Sequence, residues 1–181
     1  MDYFDLGAYR RPVTTTSEEA QTWFDRGLAW TYGYNHEEAA DCFRKAIDAD
    51  PDCAMAHWGL AYAIGPNYNK PWDLFEPEEK VAALAEANAA LETARAVTGL
   101  STAEKGLIEA LAARYPTDPE IEDFGPWNDA FTEAMRPLYE AHPDDLDVVT
   151  VFAEAGMNRT PWMLWDLTTG TPADGASTVE A

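Results

Sequence analysis

The sequence predicts an all-α chain built from antiparallel helix pairs, and three observations carry that prediction. Apolar residues recur with the helical period over most of the length, as in Trp23, Phe24, Gly27, Leu28 and Trp30. Helix starts and stops punctuate the rhythm: Asn35 before Glu38, Ser101 before Glu104, then Pro51-Asp52 and Pro143-Asp144. No stretch alternates with period two for long enough to suggest a sheet.

The 181 residues suffice for one ordinary core or a short stack of repeats. A composition of 46% hydrophobic and 12% aromatic residues excludes a disordered chain. With 33 acidic and 12 basic residues, the formal net charge is -21. Phosphate contacts need clustered Lys and Arg, and no such cluster exists, so nucleic acid and anionic membrane surfaces are poor partners. The charge attracts basic segments, polyamines or metal cations, or it simply keeps helix faces solvated. Cys42 and Cys53 are too few for a disulfide framework and read as small buried side chains in a reducing compartment. The acidic start, Met1-Asp2-Tyr3-Phe4-Asp5, does not resemble a signal peptide, and no apolar run approaches the ~18 residues that cross a bilayer. A cytoplasmic location is the expectation.

Residues 1–15 read as an extended arm, residues 16–166 as the helical domain and residues 167–181 as a loose or cut-off tail. The first helix is expected to follow Thr16, paired with Glu19 in a capping box, and to end at Tyr32-Gly33 in a left-handed glycine cap. Asn35 starts a second helix, stopped at Asp50-Pro51-Asp52, and a third follows over 53–64. Gly65 to Trp72 is loop. Pro77 opens an alanine-rich helix ending near Gly99, and Ser101 with Glu104 caps the next, to about residue 115. After a loop at 116–125, helices cover 126–141 and 145–157.

Residues 23–51 resemble a tetratricopeptide repeat. Trp23, Gly27 and Trp30 fall on its first-helix aromatic, glycine and aromatic positions; Ala39, Phe43 and Ala46 on its second-helix positions; Pro51 on its closing proline. Gly27 and Ala39 are small where the helices cross, and Trp23, Trp30 and Phe43 are expected to fill the groove between them. The best repeat spans 20–53, and degenerate repeats span 54–158. The resemblance implies a short right-handed α-solenoid that binds protein or peptide partners on a concave face. The family's basic clamp for a terminal carboxylate is not evident, since this repeat carries only Arg26, Arg44 and Lys45; a basic or apolar partner is expected. Asn35 to Ala39, Trp58-Gly59 and Gly65-Pro66-Asn67 are also similar to the N-terminal part of a longer bacterial subgroup of such proteins, so the stack is expected to continue.

The antiparallel arrangement brings the start of the second helix to the end of the third. Tyr34, Asn35, His36, Asn67, Tyr68, Asn69 and Trp72 are therefore expected at one rim, joined by Asn158, Arg159, Trp162 and Trp165. Such a polar and aromatic rim on loops suits a binding site, or caps helices and covers core ends. Cys53 and His57 share a helix face at metal-ligand spacing, but they lack a third ligand and read first as buried structure. No phosphate loop, nucleophile elbow or paired-histidine zinc helix is present, so no catalytic residue, metal or cofactor is assigned. The rival to a peptide-binding scaffold is a metal- or small-molecule-binding protein or enzyme using the rim around His36 and Asn67. The oligomeric state is left open.

Overall fold

A computed structural model describes residues 3–180; the first two residues of the arm and the last of the tail lie outside the described residues. Among the described residues the chain is all-α. Its seven helices are α1 (Glu18–Tyr32), α2 (His36–Ala49), α3 (Ala54–Ile64), α4 (Pro77–Ala96), α5 (Thr102–Ala112), α6 (Gly125–Ala141) and α7 (Leu146–Met157). No helix of the described residues is long and apolar enough to cross a membrane.

Local chemistry sets the boundaries. Asn35 accepts from the Glu38 N–H, Ser101 and Glu104 complete a capping box, and Asp145 accepts from the Asp147 and Val148 N–H groups. The start and end of α1 differ from expectation. Ser17, not Thr16, caps it, accepting from the Ala20 N–H at 3.1 Å, because the helix starts one residue later. Gly33 has φ -82°, and Tyr34 takes the left-handed conformation (φ 61°) as Asn35 N–H bonds back to Trp30 O.

Consecutive helices pack antiparallel. One close approach is around Phe43 of α2, gripped by Gly27 of α1 and Gly59 of α3. A methyl group at Gly27 would stand 2.6 Å from the Phe43 ring, so only glycine admits that crossing. Ala39 and Ala46 are buried beside it, and Pro51 sits exposed in the α2–α3 turn. Trp23 and Trp30 do not fill this groove. Ala20, Phe24, Gly27, Leu28 and Thr31 form the buried stripe of α1, and the two tryptophans lie half-buried on its flank, under the arm. The Tyr3 ring lies 5.1 Å from Trp23, and Trp30 Nε1 donates to the Tyr3 hydroxyl at 2.7 Å. Further along, Trp58 Nε1 donates to Leu107 O at 3.1 Å, Asn88 donates to Pro116 O at 3.0 Å, and Thr132 donates to Ala155 O at 3.0 Å. These bonds tie α3 to α5, α4 to the end of α5, and α6 to α7.

The arm is extended but firmly tied. Thr14 donates to Glu104 from its N–H (2.6 Å) and its hydroxyl (2.7 Å), and Thr15 bonds Asp50. Arg11 crosses to the start of α7, bonding Asp145 at 2.6 Å and Asp147 at 2.8 Å. It acts as a strap joining α1, α5 and α7. The far end also departs from the expected loose tail: Trp165–Asp166 (β1) pairs antiparallel with Thr171–Pro172 (β2). The Ser177 hydroxyl, buried, accepts from Arg159 at 3.0 Å, and the Thr178 hydroxyl donates to Leu164 O at 2.5 Å. Two-residue strands are too short to announce themselves by alternation.

Candidate functional site

The α1–α2 turn, the end of α3 and the inner face of α7 meet at one end of the stack. Two cavities open there. One, of about 680 Å³, runs between α2 and α4; the other, of about 520 Å³, lies between the α1–α2 turn, the end of α3 and α7. They share Tyr34, His36 and Asn67 as a common wall.

That wall is built by helix capping. Asn35 starts α2 and so places His36 on its first turn, facing both cavities. Asn67 Oδ1 accepts from the N–H groups of Asn69 (2.9 Å) and Lys70 (3.0 Å), which folds the loop after α3 against it. Asn69, exposed, lines the first cavity. Trp162 reaches in from beyond α7, left-handed at φ 64°, and stacks on Tyr68 at 5.5 Å. Four expected members behave otherwise. Trp165 sits in β1, exposed, and lines neither cavity. Trp72 is only 4% exposed and stacks on Phe124 at 4.6 Å, because the short turn Trp72–Leu74 rolls its large ring into the core. Arg159 turns away to Asp129 at 2.7 Å and to Ser177. Asn158 is buried below the rim and donates to Glu154.

Glu154 and Tyr62 had no place in the expected rim, yet they form the floor of the second cavity. The Tyr62 hydroxyl donates to Glu154 at 3.0 Å, and Arg114, 1% exposed, lies 3.9 Å behind the carboxylate against the Phe131 ring. None of the Arg114 guanidinium nitrogens has a hydrogen-bond partner. A lone glutamate late in an apolar helix of an acidic chain reads as surface, and the one available signal was Asn158, four residues on and thus on the same face. Both His36 ring nitrogens are buried without a partner. Burial lowers the His36 pKa; Glu154 pushes it up and Arg114 pushes it down, so the ring is neutral near pH 7. Burial, reinforced by Glu154, holds the Tyr62 hydroxyl well above its ordinary range.

The remaining candidates lie apart. His57 Nε2 is 2.9 Å from Pro51 O, and Cys53 is buried, its thiol pushed by burial up to about 11. Burial also raises the Cys42 thiol, so neither cysteine is a ready nucleophile. Among the described residues, no group of three or more His, Cys, Asp or Glu is arranged to hold a metal ion. The geometry supports binding: two joined hollows with a neutral imidazole, tyrosine rings and a carboxylate between them. No match to this chain was found among protein-family models, curated proteins or solved structures.

Proposed function

We propose that the chain is a cytoplasmic binding module of the tetratricopeptide type that holds an extended basic segment of a protein partner in the groove formed by the two joined cavities. The observation that carries this reading is the charge of the groove wall. Glu37, Asp41, Glu79 and Glu86 line the larger cavity, and its two cations are already engaged, Arg44 with Asp41 and Glu86, Lys70 with Glu79. Glu154 adds a carboxylate in the smaller cavity. A chain of net charge -21 draws basic segments toward such a wall, whereas an acidic tail meets repulsion along its length. The resemblance of residues 20–53 to a tetratricopeptide repeat supports a peptide-binding role, and the missing basic clamp supports a basic rather than acidic partner.

Fluorescence anisotropy with two labelled decapeptides, one of lysine and leucine and one of glutamate and leucine, tests the reading. The basic peptide is expected to bind, more weakly at high salt, and to lose about tenfold in affinity when Glu79→Lys and Glu86→Lys are combined. Equal binding of both peptides, or indifference to the charge reversal, contradicts it.

A further inference from the structure

Resting on that reading, we propose that the smaller cavity, beneath His36, is a pocket for one arginine side chain of the bound segment. The case is a donor and acceptor inventory. Three of the hydroxyl-bearing residues that line this cavity have their protons already committed elsewhere. Thr31 donates to Gly27 O at 2.8 Å and Thr150 to Leu146 O at 2.7 Å, each to the preceding turn of its own helix. Tyr62 donates to Glu154 at 3.0 Å, whereas Tyr32, whose residue also lines the cavity, turns its hydroxyl to Asp147 on the strap side. What these oxygens still offer a ligand is lone pairs.

Glu154 adds a carboxylate, and neutral His36 adds one acceptor nitrogen beside its single N–H, so acceptors outnumber donors on the deep wall. A ligand matched to it must be rich in donors, which a guanidinium is. Arg114 does not supply that match: at 3.9 Å it makes no hydrogen bond to Glu154 and lies behind the cavity wall. Because the acceptors come from four separate helices, a planar fork of several donors suits them better than a compact ammonium. At the mouth, Tyr68, backed by Trp162, presents an aromatic face on which a guanidinium stacks. The volume of about 520 Å³ exceeds one side chain, and Val149, Ala153 and Met157 leave an apolar wall for the residue beside the arginine.

The test uses a labelled leucine–alanine peptide with one central arginine, and the same peptide with citrulline or lysine in its place. Citrulline keeps the size and planarity and removes the charge. Wild-type protein should bind the arginine peptide about tenfold more tightly than the citrulline peptide. Glu154→Gln should reduce that preference to under about threefold, with thermal melts confirming its fold. Should Glu154→Gln fail to fold, Thr150→Val, on an exposed position of α7, decides the matter: an undiminished arginine preference there overturns the pocket. Equal binding of arginine and citrulline peptides by wild type, with sensitivity to the Glu79→Lys and Glu86→Lys pair retained, overturns the pocket and leaves the groove reading standing. If neither these peptides nor the lysine–leucine decapeptide binds, both fall.

Discussion

Two buried arginines in this molecule have opposite surroundings. Arg11, in the strap, is 9% exposed and meets two carboxylates at 2.6 and 2.8 Å, with a further bond to Asp145 at 3.0 Å. Arg114, beside the cavity, is 1% exposed, and its nearest carboxylate is 3.9 Å away with no hydrogen bond. The strap side is closed by hydrogen bonds, although Arg11 Nε has no partner and a hollow of about 500 Å³ lies against it: Arg11, Tyr32 and Tyr9 converge on the start of α7, and Glu104 is taken up by Thr14 and Ser101. The cavity side keeps polar groups buried and unmatched, at a cost that packing elsewhere must offset. The first pattern is how a fold is fastened; the second is how a site is kept ready for a ligand.

Breaking the closed side should cost the most. Arg11→Ala leaves Asp145 and Asp147 partly buried without their cation, and about 3 kcal/mol of stability should be lost. For a chain of this size that lowers the melting temperature by about 6–12 °C, read by circular dichroism. Gly59→Ala, which forces a methyl group into the Phe43 ring, should cost about 2 kcal/mol by chemical denaturation.

Acid should loosen the same side. Burial pushes Asp145 up, but its bonds to Arg11 more than offset that and hold it below its ordinary value. Glu104 is likewise held low, burial being outweighed by bonds from Thr14 and Ser101. A depressed carboxylate stabilises the fold fully above its unfolded value, 3.8 for Asp and 4.5 for Glu, and loses that contribution as pH falls through the folded value. Asp25, raised by burial, works in the opposite sense and blunts the effect. Wild type should therefore lose stability between pH 5 and 3, and Arg11→Ala should lose less over that span. The smallest effect belongs to the open side. Arg114→Met should change stability by no more than about 1 kcal/mol, because Glu154 keeps the Tyr62 and Asn158 donors. A loss as large as that of Arg11→Ala would erase the contrast between the two sides.

The parts legible in the sequence are those set by near neighbours. Asn35, Ser101 and Asp145 start helices because their side chains reach N–H groups two or three residues on, and Pro77 sits where a first-turn proline costs nothing. Gly27 and Phe43 were readable because their spacing carries the repeat pattern. Adjacent hydroxyls at Thr16 and Ser17 left the first cap one residue off. The strap was opaque, since Arg11 and Asp145 are 134 residues apart and nothing local marks either as a partner. The cavity was half legible: the capped turn at His36 and the loop at Asn67 pointed to the rim. Its floor, Tyr62 and Glu154, comes from helices 92 residues apart whose side chains look ordinary in isolation. Trp72 showed the reverse error, an aromatic on a loop that belongs to the core.

The chain has three histidines, which makes one measurement unusually direct. His36 lines both cavities, His57 bonds the α2–α3 turn, and His142 ends α6 beside Thr102. Imidazole resonances followed by NMR, as the arginine-bearing peptide is titrated in, should show His36 shifting to saturation while His57 and His142 stay in place. A stationary His36 alongside demonstrable binding would put the partner somewhere other than the groove and contradict the account.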